Sequence, residues 1–199
     1  MLTVLGILAG ILSFASNIPY MTDTIKGKTK PHRITWGIFF LLNIIFLANQ
    51  LAAGATHSIW LVVAFTLSTL TIFTLSLKHG VGGSSRLDVL VLVGALVGVV
   101  VWQLLDAPLA SVIANVTVSA IACIPTYKKS WANSQTETTI SYALGSVAAT
   151  MSAFSVGKLD LTLLLLPVYS ALYQGTITMI LERQKLLFLI NKGGYETKD

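Results

Sequence analysis

The sequence predicts an all-α integral membrane protein, with seven transmembrane helices arranged as two parallel three-helix repeats joined by a linker helix. Three observations predict it. The 199 residues are 54% hydrophobic and only 11% charged, with a mean hydropathy of +0.78; a soluble domain of this size needs far more charge to cover its surface. The apolar residues run in long blocks nearly free of charge, and a helix needs about 20 such residues to cross ~30 Å of hydrocarbon. A junction motif occurs twice, at the same kind of joint.

The blocks run approximately Leu2–Ile25, Ile34–Ala53, Ser58–Leu77, Leu87–Leu105, Pro108–Tyr127, Thr138–Val156 and Leu159–Leu181. Irregular backbone exposed to lipid would leave its polar groups unpaired, so helices are the natural assignment. Barrel strands alternate in pieces of about ten residues, and these blocks are continuous. The N-terminus has no positive region ahead of a short apolar core and no small-residue cleavage site, so it reads as span one and not as a signal peptide.

The first junction is Asn17-Ile-Pro-Tyr-Met-Thr-Asp-Thr-Ile-Lys-Gly-Lys-Thr-Lys-Pro-His-Arg-Ile-Thr-Trp36, and a fainter copy runs from Cys123 to Tyr142. Aligned without gaps, Ile18-Pro19 falls on Ile124-Pro125, Thr24 on Ser130, Ile34 on Ile140, and Thr35-Trp36 on Ser141-Tyr142. Both copies follow the first helix of a triplet. Residues 1–79 therefore form the first repeat, 80–106 a Gly-Ser linker and the fourth span, 107–186 the second repeat, and 187–199 a tail. A single helix between two triplets is what gives both the same topology.

Charge sets the orientation. All but one of the 13 basic residues lie in the loops after spans one, three and five or in the tail; the exception is Lys158. By the positive-inside rule the N-terminus is outside, the C-terminus is cytoplasmic, and the protein is a multi-pass protein of the cell (inner) membrane. The net charge of +5 is a matter of loops, with no basic face interleaved with aromatics, so nucleic acid is not an expected partner. Membrane lipids are, and a homo-oligomer is allowed but not required.

No Asp, Glu, Lys or Arg lies deep within a span, which argues against a proton relay and for facilitated diffusion. The lone Cys123 excludes an internal disulfide, and His32, His57 and His79 read as solvated loop residues, so no metal or other cofactor is expected. With no nucleophile–base pair or metal cluster visible, no catalytic residue is expected and the chain is not an enzyme.

The polar groups left in the spans are neutral. Trp36, Asn43 and Gln50 share one side of span two, Ser13 and Asn17 one side of span one, and Asn115 and Ser119 one side of span five. Span three offers Trp60, Ser68 and Thr69, and span seven Tyr169, Tyr173 and Gln174. Amides and hydroxyls cannot face lipid cheaply, so they point inward, either as hydrogen bonds between helices or as the lining of a solute path. Neutral donors and acceptors beside aromatic faces suit a neutral polyhydroxyl or heterocyclic solute. Asn17, Asn43, Thr69, Asn115, Tyr173 and Gln174 are the candidate binding residues, with Asn43 and Asn115 nearest mid-span. Trp36, Trp60 and Trp131 read as interfacial anchors and Trp102 as packing.

The 3+1+3 layout, the outside N-terminus, Pro19 and Pro125 near the ends of the first helix of each triplet, and the Ile25-Lys-Gly-Lys-Thr29 loop resemble the SWEET/PQ-loop superfamily. The resemblance covers essentially the whole chain. It implies two three-helix bundles rocking about a central path, with Pro19 and Pro125 as hinges. Tyr20 and Thr126 stand where PQ-loop members carry glutamine, Phe39 replaces a second-helix proline, and no asparagine stands near Thr69 or at Leu172–Gln174. The function expected is a facilitator for a small neutral polar solute such as a sugar. The alternatives are a nucleoside or vitamin carrier, like the bacterial nicotinamide riboside transporters, and a non-transporting receptor of the same fold.

Overall fold

The computed structural model describes residues 1–52, 54–82, 86, 89, 90, 92, 93 and 108–196. Span four, expected over Leu87–Leu105, lies almost wholly outside them. Among the described residues every regular element is helical: α1 (Leu2–Ile25), α2 (Arg33–Ala52), α3 (Ile59–His79), α4 (Pro108–Ala122), α5 (Ile124–Ala132), a 3-10 turn (Ser134–Thr136), α6 (Thr139–Ser155) and α7 (Leu161–Glu196).

Four of them carry stretches long and apolar enough to cross a membrane: Leu2–Ile25, Arg33–Leu51, Ile59–His79 and Leu161–Arg183. Helix α6, with 17 residues, is about 26 Å long and falls short of the ~30 Å core by itself. The block expected as span five is two helices. Pro125 has no N–H to offer the carbonyl of Ile121, and the helix assignment lapses at Cys123. The neighbouring bonds continue across the gap, from Cys123 N–H to Ser119 C=O (3.0 Å) and from Tyr127 N–H to Cys123 C=O (2.9 Å). Pro19, its partner in the internal alignment, sits inside an α1 that is not interrupted.

Helix α1 shows how such helices pack. Its buried stripe is Gly6, Ala9, Gly10, Ser13, Ser16, Tyr20 and Thr24, while Val4, Leu8, Ile11, Phe14 and Ile18 are exposed on other faces. Small and hydroxylated residues inside with apolar residues outside is the pattern of a helix whose outer solvent is lipid. Helix α6 buries a matching stripe of Ser141, Gly145, Ala148, Ala149, Ser152 and Ser155, and α1 and α6 pack together along it. Helix α1 ends where Gly27 takes φ +72 and Lys28 N–H reaches back to Asp23 C=O at 2.9 Å, a left-handed cap that glycine adopts without strain.

Helix α3 packs against both α1 and α2, and α7 packs against both α6 and α4–α5. The two groups meet through α1 on α6 and α2 on α4. Exchanging α1 with α4–α5, α2 with α6, and α3 with α7 maps these main contacts onto themselves, while a smaller contact of α3 with α6 has no counterpart of equal extent. Ile38, Leu42 and Ile45 of α2 pack on Val118 and Ala122 of α4; Phe46 and Val62 pack with Val112 and Leu166. Asp160 accepts hydrogen bonds from the N–H groups of Thr162 and Leu163, capping α7. Its carboxyl is held below the usual carboxylate range, chiefly by the hydrogen bond from Lys158.

Candidate functional site

One cavity lies where α1, α2, α3, α6 and α7 converge, with α4 adding Ser119. The centre of a water molecule can move through about 80 Å³ of it. A single water needs roughly 10–15 Å³ on that measure, so the space admits several waters or part of a small solute. Among the described residues, no charged side chain lines it.

Five of the six residues expected from sequence line this cavity: Asn17, Asn43, Thr69, Tyr173 and Gln174. Asn17 donates its Nδ2 to Ser13 C=O at 2.8 Å, and Asn43 its Nδ2 to Phe39 C=O at 2.9 Å. Both partners are carbonyls, so one N–H of each amide is committed to its own helix, leaving the carboxamide oxygen as an acceptor and the second N–H as a donor. Thr69 spends its hydroxyl on Phe65 C=O at 2.7 Å, so it contributes shape and a methyl group more than a donor. The amide of Gln174 occupies a notch in α6: a Cβ at Gly145 would fall 1.8 Å from Gln174 Oε1. Tyr173 stacks on Tyr169 (6.2 Å, 8°) and meets Phe39 and Tyr142 edge-on.

Asn115 is the exception. It is buried in α4 with its Nδ2 unpartnered, and it is not part of the cavity wall. Seven-residue spacing places Gln50 on the same side of α2 as Trp36 and Asn43, and all three are buried, but Gln50 also lies away from the cavity. Ser68, also in the wall, is 1% exposed and its Oγ has no partner. A buried hydroxyl without a partner is uncommon, and this one is covered by its neighbours, so a water or solute reaches it only when the wall shifts.

The floor of the cavity is aromatic, and of its rings only Tyr173 was foreseen as part of the site. Tyr20, Trp36, Phe39, Tyr173 and Tyr142 form a closed circuit, with successive ring centroids 5.2, 5.8, 6.0, 6.3 and 6.1 Å apart. The angles are tilted or near perpendicular, the arrangement aromatic quadrupoles favour. Trp36 is therefore not an interfacial anchor: it is 8% exposed and its Nε1–H donates to the Tyr20 hydroxyl at 3.3 Å. Trp60 and Trp131 are both exposed, and Arg183 lies over the Trp131 ring at 5.2 Å. The available signal was the alignment of Trp36 on Tyr142, an aromatic ring at the same place in each repeat.

No family model, curated protein or solved structure matches this chain. Its site is known through its own geometry.

Below the aromatic floor, at the end carrying Lys26, Lys28 and Lys30, the two groups of helices are clasped by polar bonds. Thr29 Oγ1 donates to Thr138 Oγ1 (2.6 Å), which donates to Asp23 Oδ2 (3.0 Å). Lys30 N–H bonds Thr136 C=O at 3.3 Å, and Lys129 Nζ reaches the Lys30 carbonyl. Lys129 also pairs with Glu137, whose side chain is 1% exposed. One loop expectation changes here: His32 is 8% exposed with its ring against Thr35 and Gly82. Glu137, in the loop ahead of α6, is a buried, ion-paired carboxylate.

Proposed function

We propose that the chain is a membrane carrier for a small neutral polar solute such as a sugar. It works by alternating access, rocking two three-helix units about the central cavity. The observation that carries this reading is the cavity itself. Among the described residues its lining is uncharged, it is walled by helices of both units, and it presents the Asn17 and Asn43 carboxamides beside aromatic rings. A charged solute would meet no counter-charge there, and burying it unpaired is costly. A polyhydroxyl solute finds acceptors for its O–H groups and ring faces for its C–H groups.

The exchange symmetry of the helix contacts supports two parallel repeats, 1–79 and 107–186. Two such repeats are what the resemblance to the SWEET/PQ-loop superfamily implies; the proposed arrangement has seven spans in the cell membrane, with the N-terminus outside and the tail cytoplasmic, as the basic loops suggest. Pro19 and Pro125 are then the hinges, each at the base of the first helix of its unit.

The five-ring floor favours a second reading, a nucleoside or vitamin carrier, because a planar heterocycle can stack where a sugar can only graze. A receptor of the same fold is less well served, since capture of a peptide terminus needs fixed charge that the lining lacks. Uptake of labelled hexoses, disaccharides, nucleosides and nicotinamide riboside into proteoliposomes, with and without a proton gradient, tests these readings. Gradient-independent uptake of hexose or disaccharide is expected. Uptake of the heterocycles alone transfers the function to the second reading, and uptake of none from folded protein ends the carrier reading.

A further inference from the structure

The two proline-bearing segments are each touched by a hydroxyl from the other group of helices, and the two contacts are related. Ser141 Oγ, at the start of α6, accepts the backbone N–H of Tyr20 at 3.1 Å. Thr35 Oγ1, at the start of α2, donates to the backbone C=O of Ala122 at 2.9 Å. Thr35 and Ser141 are partners in the internal alignment, as are Pro19 and Pro125.

Both contacts fall on the same rung of the helix. Tyr20 follows Pro19 directly, and in an α-helix its N–H belongs to the carbonyl of Ser16. Ala122 stands to Pro125 as Ser16 stands to Pro19, so its carbonyl belongs to the N–H of Thr126. Ser141 engages the donor side of this rung in one segment, and Thr35 the acceptor side in the other. The rung lies beside the hydrogen bond that proline deletes, where a helix bends most readily. Both hydroxyls are shielded from solvent, at 1% exposure for Thr35 and 5% for Ser141.

We infer that Thr35 and Ser141 are reciprocal positioning residues. Each holds the proline bend of the opposite unit, and together they hold the clasped end shut. The inference rests on the proposed rocking of two units. The single Tyr20 N–H can exchange its helix rung for the Ser141 hydroxyl, and the Ala122 carbonyl, with two lone pairs, can keep Thr35 while its rung opens, so a bend changes without stranding a polar group. In the clasped arrangement both hydroxyls are engaged.

The test reads distance and needs no solute. Spin labels are placed at Lys28→Cys and Gln135→Cys, two exposed sites in the clasping loops, in a Cys123→Ser background that keeps the hydrogen-bonding position beside Tyr169. The parent should give one short distance in lipid. Thr35→Val and Ser141→Ala should each add a longer-distance population, while Thr35→Ser and Ser141→Thr keep the parent distribution. Thr35→Ala carries the same expectation should the valine variant fail to fold. An unchanged distribution in Ser141→Ala and in either Thr35 variant overturns the inference, as does equal broadening by the hydroxyl-retaining variants. Uptake is measured on the same liposomes. A distance response without uptake of any panel solute refutes the carrier reading and leaves the braces standing.

Discussion

The Tyr142 hydroxyl donates to the Glu137 carboxylate at 3.1 Å, which joins the aromatic floor of the cavity to the polar clasp beneath it. Tyr142 is a wall of the cavity, and Glu137 is the buried partner of Lys129, which also holds the Lys30 carbonyl. A change in the packing of the floor is therefore felt at the clasp through one hydrogen bond.

Glu137→Gln tests the ion pair. It keeps an acceptor for Tyr142 and removes the charge that Lys129 faces. Breaking a fully buried pair costs about 3–5 kcal/mol. Lys129 is partly exposed, so a loss of about 1–3 kcal/mol is expected. Thermal denaturation in detergent measures it, and Lys129→Met combined with Glu137→Gln should recover part of the loss. Strict additivity of the two changes would show that the pair contributes nothing.

Thr138→Val removes both the donor to Asp23 and the acceptor for Thr29. Two buried hydrogen bonds at about 0.5–1.5 kcal/mol each are at stake. Because they tie down residues 26–32, trypsin should cut after Lys26 and Lys28 several-fold faster than in the parent. An unaltered cleavage rate would mean that other bonds hold the loop.

Ser68→Ala separates a site from structural glue. The Ser68 hydroxyl is buried without a partner, so deleting it removes an unmet desolvation cost and should leave stability unchanged or raised by up to about 1 kcal/mol. A solute that bonds this hydroxyl would lose roughly tenfold in apparent affinity. Lower stability with unchanged uptake would make Ser68 a structural residue.

Asn43→Ala should lower uptake roughly tenfold, through the loss of one acceptor, while Asn115→Ala leaves the apparent affinity as it is. Asn43 lines the cavity and Asn115 does not. The reverse order in the uptake assay would move the path toward α4.

Gly145→Ala should displace the Gln174 amide, since the added methyl would overlap it. Overpacking of this kind costs about 1–3 kcal/mol. Adding Gln174→Ala should restore the melting temperature but not uptake. Failure of that rescue would locate the strain elsewhere.

Much of the fold was legible because membrane helices announce themselves by length. The expected limits of span one are those of α1, since an apolar run and a left-handed Gly27 mark its ends without help from packing. Span seven was expected over Leu159–Leu181, and the apolar stretch of α7 runs Leu161–Arg183, although the helix itself continues to Glu196. Glu182-Arg-Gln-Lys signals departure from an apolar run, but it contains good helix formers and no breaker, so the helix does not end there. Polarity in the spans led to five of the cavity's residues, because an amide on a membrane helix has few places to go. It could not separate Asn43 from Asn115, which differ only in what stands opposite. Trp36 was misplaced for a related reason: a residue near a span end can turn outward to an interface or inward to a partner. That choice is made by Tyr20, which stands on another helix.

A cavity without a charged wall is electrically silent. Carrying one elementary charge across a membrane at 100 mV is worth about 2.3 kcal/mol, and neither the empty cavity nor one filled with a neutral solute presents such a charge to the field. For the facilitated diffusion proposed above, voltage would then do no work at this cavity, and net flow would follow the solute's own gradient.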